Sequence, residues 1–500
     1  MQHDEIIPKA EVQYPEKWKP PDDNILADMR TKASSRDFYA NGEAMLDEYV
    51  EVGLRSLPKS TRDDLADFLN AHRFLTLGSM CSGTDSSSLV ADSFKRACKR
   101  TFDIDLTTPI SMQCECNTRK QNFLTTMFGS SAPLFADVRD LCRAEARDVR
   151  TQTDVPVPSV HLAWVGFPCT DVSRRNPKQM SAANRATVQN KSLRTGKVFD
   201  GLIQYYQSHG DHLLVGFCEN VGGLSDLPSK DKAARSNLDV CVHRLSREAG
   251  MWTMIFGVQP SKCFGMPVSR FRYWMPHMPW TSLDGVSTQA AREIGVATFN
   301  YMAGASASTP VQIEDLLLPE NHPLVLDAYS EIVKKQGAGK RNAKRGRKLA
   351  TKQTKPKHKK PRGEKWMSLH STFSKKKGFH KSYLDENMPT EAVKQSFPGL
   401  YSLTQRQLQI LCLKKVSFPE LVPGSIDLSQ ALDRSFVAKN HLVCASPGMK
   451  NYLVHRCRLS LGVECLHMQG LHYGDKHKEL QQFSSSLLQD LGGNAFEAIQ

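Results

Sequence analysis

No apolar run in the 500-residue chain approaches the roughly 20 residues that a bilayer crossing requires, which excludes a membrane-spanning helix. Asp4 and Glu5 stand where a secretory leader carries positive charge, and no long apolar stretch follows before Arg30, so no such leader is expected. Cysteine pairs at metal-ligand spacing are missing too. The 13 cysteines are odd in number, and the tightest pair, Cys114 and Cys116, sits on alternate residues, where a structural zinc site wants repeated pairs two to four apart. Reduced thiols and no metal site are therefore expected. Hydrophobic residues at 40% and charged residues at 24% exclude disorder throughout.

Positive charge is abundant but concentrated. Segment 334–365 holds 15 Lys and Arg against one acid, Glu364, and so accounts for the whole net charge of +14. With almost no apolar residues it cannot bury enough surface to fold alone, and a mobile, disordered basic insert is expected. Clustered cations that release counterions on meeting a polyanion suit a nucleic-acid-binding arm, a nuclear import signal, or both; a solvated linker is the plainer alternative.

Residues 1–70 read as a proline-rich lead-in followed by a helical pattern around Leu46 to Leu69, with no chemical signature. From Phe74 the texture changes to short apolar runs separated by polar helical stretches, predicting alternating strands and helices in a doubly wound, mostly parallel sheet. Six strands are expected, over residues 74–77, 109–112, 134–136, 161–165, 212–215 and 252–256. Ligands bind beyond the carboxyl ends of such strands, so the residues following each run carry the argument. The first run leads into Ser82-Gly83-Thr84, small residues ahead of a helix, where backbone can approach a cofactor. The second ends at Glu115-Cys116, a carboxylate placed to accept hydrogen bonds from two ribose hydroxyls, and the third at Asp137-Val138. Each acid alone is an ordinary loop residue; in this order they describe a nucleoside pocket. The fourth run delivers Pro168-Cys169 and the fifth Glu219-Asn220-Val221, bringing a nucleophilic thiol beside a general acid. Arg270 and Arg272 alternate beyond the sixth run, as fixed cations or as solvated surface residues.

Pro168-Cys169, Glu219-Asn220-Val221 and Arg270-Phe271-Arg272, in this order, resemble the catalytic motifs of the C5-cytosine DNA methyltransferase family. The likeness continues in Arg194-Thr195-Gly196 with Phe199, in Glu464 with Gln469-Gly470, and in Gly493-Asn494-Ala495, similar to the family's closing motif beside the cofactor strand. It covers residues 74–280 and 456–500. The resemblance implies a Rossmann-like S-adenosylmethionine-dependent catalytic domain over 71–280, a smaller DNA-recognition domain within 281–455 that carries the basic insert, and a return of 456–500 to the catalytic domain. It implies Cys169, Glu219, Arg270 and Arg272 as catalytic residues, and Ser82, Gly83, Thr84, Glu115, Cys116, Asp137, Val138, Asn494 and Ala495 around S-adenosylmethionine.

The chain departs from the family at Cys81, Asp85 and Val268 and in Thr170-Asp171-Val172. Asp85 replaces a glycine, which would place a carboxylate near the methionine end of the cofactor. The implied activity is nuclear methylation of a cytosine flipped from double-stranded DNA. The same chemistry on a tRNA cytosine, or a catalytically silent DNA-binding relative, are the alternatives. Sequence context and oligomeric state are not legible.

Overall fold

A computed structural model describes residues 9–13, 38–174, 188–227, 235–259, 265–283, 285–307, 311–346, 364–380, 383–443 and 448–495. Eight strands form the central sheet: β1 (Leu77–Met80), β2 (Ile110–Cys114), β3 (Leu134–Phe135), β4 (Leu162–Val165), β5 (Val215–Val221), β6 (Met251–Thr253), β7 (Phe256–Val258) and β8 (Arg272–Pro279). Their order is 3-2-1-4-5-8-6, with β7 also paired to β8. Neighbours among β1 to β5 are parallel. β8 runs antiparallel to β5, β6 and β7. Strand order reverses between β1 and β4, the kind of point at which doubly wound sheets open a ligand crevice.

Helices α1 (Phe38–Ser56), α2 (Lys59–Ala71), α3 (Ser86–Phe102), α4 (Thr118–Phe128), α5 (Arg194–His209) and α6 (Asn237–Arg247) cover the sheet. Alternation along a strand shows both faces are buried: Tyr273 and Met275 join one core cluster with Phe199, Leu202 and Leu245, while Trp274 joins another with Leu46, Phe123 and Leu491. This is the expected doubly wound α/β fold. Its details differ from the sequence expectation. β1 starts at Leu77, because Phe74 is 58% exposed and makes only an isolated bridge to Thr107. β5 runs on to Val221, the sixth run splits into β6 and β7, and β8 was not anticipated because Pro276 and Pro279 interrupt its pattern.

The helical lead-in is part of the core. Leu57-Pro58 separates α1 from α2, and α1 buries Phe38, Leu46 and Tyr49, while Asp47 accepts from Arg96 Nε at 2.7 Å. Residues 288–307 and 311–325 also pack into this core through Ala303, Val311, Leu316 and Val325, so the packing is continuous across the expected boundary at residue 280. A smaller unit lies within 366–459. There the helix Gln405–Ser417 covers an antiparallel sheet of four strands, ordered Val437–Lys439, Gly424–Asp427, Asn451–Leu453, Arg458–Leu459, around Leu408, Leu411, Ile426 and Tyr452. Thr404 and Gln407 form a capping box at the helix start. The basic insert does not begin in disorder: the helix Pro323–Gly346 continues into it, and residues 347–363 lie outside the described residues.

Residues 462–495 pack into the same core as α1 and β8, through Leu466, Leu488 and Leu491. Glu464 is fully buried and accepts from Arg458 Nη2 at 2.7 Å and Nη1 at 2.8 Å, from Leu461 N at 2.8 Å and from Leu318 N at 2.9 Å. This carboxylate fastens three segments together. Arg458→Met would leave it buried without its cation and should lower stability by about 3–5 kcal/mol. Urea unfolding followed by tryptophan fluorescence checks this, and pairing the change with Glu464→Gln, which removes the charge and keeps an acceptor for the two amides, should recover part of the loss.

Candidate active site

The loop after β1 is held in an uncommon backbone shape: Cys81, Gly83 and Asp85 have φ of 55°, 52° and 49°. At Gly83 this left-handed conformation suits glycine, and a Cβ there would meet only Cys81 O at 3.8 Å, so the backbone faces open space. Gly83 N donates to Glu115 Oε2 at 3.1 Å, and Asn117 N donates to Oε1 at 2.8 Å. Two backbone amides therefore orient a carboxylate that retains acceptor capacity. Beyond β3, Asp137 caps a short helical turn starting at Val138, and Arg139 grips it with Nη2 at 2.5 Å and Nε at 3.0 Å. The Arg139 guanidinium holds the Asp137 carboxyl below its usual range.

Cys169 follows β4 on a tightly tied turn. Thr195 Oγ1, in the first turn of α5, donates to Pro168 O at 2.8 Å and to Asp171 Oδ2 at 3.0 Å, while Thr195 N donates to the same Asp171 oxygen at 2.9 Å. Asn220 Nδ2 donates to Phe167 O at 3.1 Å. The turn presses on Gly223 so closely that a Cβ there would collide with Val172 O. Farther along, Arg174 pairs with Asp226 at 2.5 Å, and residues 175–187 lie outside the described residues.

The acid and cations meet across two strands. Glu219, near the end of β5, pairs with Arg272, at the start of β8, at 2.5 Å between Nε and Oε1, with only 10% and 12% of their side chains exposed. Arg270 is 3% exposed and donates to Ala495 O at 2.6 Å and Gly493 O at 3.5 Å, tethering the C-terminal segment behind the site. The surface-arginine alternative is thereby overturned for both residues, because burial and partners replace solvent. Burial pushes the half-buried Cys169 thiol up; Arg272 pulls it down, Glu219 pushes it up, and Arg270 pulls it down.

One cavity of about 440 Å³ collects Gly83, Glu115, Cys116, Asp137, Val138, Cys169, Glu219, Arg270, Arg272 and Asn494. Three anticipated cofactor residues do not line it. Ser82 is turned into the sheet, its hydroxyl bonded to Ser79 O and Cys114 O. Thr84 is 1% exposed, with its carbonyl bonded by Tyr473 Oη. Ala495 serves through the carbonyl that Arg270 holds. Asp85 also departs from expectation: it is 1% exposed, is not among the residues lining the cavity and is spent on protein donors. Sequence reasoning missed Arg139 and Lys197, both on the cavity wall, and named Arg194, also on it, only as part of a helix motif. Arg139, two residues past Asp137, could have been found from that spacing.

These residues fit a nucleoside cofactor such as S-adenosylmethionine: an oriented carboxylate, a second one fixed by arginine, and an open glycine backbone lie on one wall.

Sheet order and site together define a Rossmann-like α/β domain with a thiol, a carboxyl and an arginine gathered beside a nucleoside crevice. No protein-family model matches the chain. It is similar to the DNA (cytosine-5-)-methyltransferase DMT5 of Cryptococcus neoformans var. grubii, at 26% identity over 199 residues, which is 40% of this chain and 8% of that protein. The chain thus spans a small part of that relative's length. Among solved structures it is similar to the S. pombe Dnmt2 methyltransferase, at 10% identity with a TM-score of 0.37, covering 85% of this chain and 95% of that one. It is also similar to the Entamoeba histolytica methyltransferase EhMeth, at 10% identity with a TM-score of 0.38, covering 86% and 95%. The family resemblance carried by the motifs therefore extends to a curated C5-cytosine methyltransferase.

Burial favours the protonated thiol, so alkylation of Cys169 by iodoacetamide, followed by peptide mass spectrometry, should reach its midpoint at a higher pH than the ~8.5 of an ordinary thiol. Arg272→Ala should slow it further at any fixed pH, since the cation that favours thiolate is gone.

Proposed function

We propose that this chain is an S-adenosylmethionine-dependent cytosine-5 methyltransferase acting on DNA. The observation that carries the reading is the shared cavity: Cys169, Glu219 and Arg272 on one side, Glu115 and Asp137 on the other. When bound, S-adenosylmethionine supplies an electrophilic methyl group on a sulfonium.

Cytosine C5 is too weak a nucleophile to take that methyl directly. Cys169 thiolate adds to C6, which makes C5 enamine-like. Glu219 shares a proton with ring N3, offsetting the negative charge that develops as sulfur adds, and Arg272 assists at the O2 edge. After methylation at C5, loss of the C5 proton and expulsion of the Cys169 thiolate restore the aromatic ring. Arg270 supports the site through its hold on the C-terminal segment.

The pocket admits a base only once it has left the helical stack, at a cost of about a few kcal/mol. Duplex DNA with a flipped cytosine is the proposed partner, with basic segment 334–365 adding sequence-independent attraction and nuclear import. Asp85, which could have argued for a silent relative, is occupied by protein donors and places no charge on the cavity wall.

Methyl transfer from labelled cofactor to duplex DNA and to tRNA, run with wild type and Cys169→Ala, tests this. Wild type should label DNA, and the variant should lose on the order of 10³-fold or more, as losses of a nucleophile do. Labelling of tRNA alone would move the substrate to RNA; full activity in Cys169→Ala would overturn the mechanism.

A further inference from the structure

Two of the three left-handed residues in the loop 81–85, Cys81 and Asp85, are not glycine. Such a loop persists only where its surroundings over-determine it. Its fastenings can be followed one by one. Ser82 N donates to Cys114 O at 2.9 Å, Gly83 N to Glu115 Oε2 at 3.1 Å, and Tyr473 Oη to Thr84 O at 3.1 Å. The last is Asp85, whose carboxylate accepts from Ser87 Oγ and Ser88 Oγ, each at 2.7 Å, and from Gln113 Nε2 at 2.5 Å.

Gln113 is two residues before Glu115 and shares its side of the chain, so the Asp85–Gln113 and Gly83–Glu115 bonds are neighbouring rungs between one loop and one strand end. Arg150 Nη2 donates to Gln113 Oε1 at 2.7 Å, which fixes the amide so that its nitrogen faces Asp85. A guanidinium thus compensates the buried carboxylate across one amide. Glycine at position 85 would accept the backbone angle as readily, yet it would leave three buried donors without an acceptor.

We propose that Asp85 is a positioning residue for cofactor binding: through Gln113 it locks the loop 81–85 so that the Gly83 amide stays aimed at Glu115. This rests on the cofactor reading above for the identity of the ligand. In Asp85→Gly the loop keeps its permitted backbone and loses its anchor. Binding of S-adenosylmethionine to the full chain, measured by calorimetry, should weaken about tenfold, the scale of a lost hydrogen bond to a charged group. Turnover at saturating cofactor should change less than about twofold, because the reacting groups are untouched. Asp85→Asn, which tolerates the left-handed angle and keeps one acceptor, should recover part of the affinity. Gln113→Leu cuts the same rung from the other side and should weaken binding similarly, with no further loss in the double variant.

Amide hydrogen exchange across residues 80–88 provides a readout that needs no cofactor, and it should accelerate in Asp85→Gly and Gln113→Leu. Wild-type affinity in Asp85→Gly, a fall in turnover with affinity intact, or unchanged exchange would each overturn the proposal. If the wild-type chain takes up no S-adenosylmethionine, the functional reading fails, and exchange alone then decides whether Asp85 fastens the loop.

Discussion

The ion pair between Glu219 and Arg272 depends on one strand running against the others. β5 ends near Glu219, and β8 begins at Arg272 beside it, with Arg272 opposite Val221 and Trp274 opposite Glu219. Were β8 parallel, its first residue would lie at the far edge of the sheet, a strand length from the acid. The reversal delivers a cation to the same edge at which the parallel strands deliver their carboxyl-terminal residues. Cys169 follows β4, the parallel neighbour of β5, with Val165 opposite Cys218. Thiol, acid and cation therefore converge on adjacent strand ends, and the change of strand order between β1 and β4 opens the space in which Glu115 and Asp137 face them.

Convergence alone does not fix a reactive sulfur. The Cys169 turn is clamped by Thr195 from α5, which bonds Pro168 O and the turn's own Asp171, by Asn220 from β5, and by the close approach permitted at Gly223. The loop after β1 is fastened in a comparable manner on the cofactor side. Anchoring of both loops fixes the Cys169 thiol and the Glu115 carboxylate on walls of one cavity, and on the proposed reading such fixed spacing is what rate depends on. The same burial that shields the thiol from water also favours its protonated form, and Arg272 and Arg270 oppose that effect.

Much of this was legible in the sequence because chemistry in a doubly wound sheet falls at strand ends, and apolar runs mark strands. Glu115, Asp137, Cys169 and Glu219 were found that way, and all four line the cavity. What escaped was information carried by tertiary contacts. β8 was missed because its prolines break the strand pattern. Helix α1 carried no chemical signature, so nothing local showed that Phe38 and Leu46 complete the core. Asp85 was misread because its sequence position places it beside the cofactor, whereas its direction is set by Ser87, Ser88 and Gln113. Arg270 was read as a site cation, and its bonds to the carbonyls of Gly493 and Ala495 join residues more than 220 positions apart.

The central claim is that the Cys169 sulfur attacks a cytosine held in this cavity. Incubating the full chain with S-adenosylmethionine and duplex DNA containing 5-fluorocytosine tests it most directly, because fluorine at C5 blocks the final elimination and preserves the adduct. The account predicts a denaturation-resistant protein–DNA complex, dependent on the cofactor, whose modified peptide contains Cys169. No complex, or one mapped to Cys81 or Cys116, would contradict it.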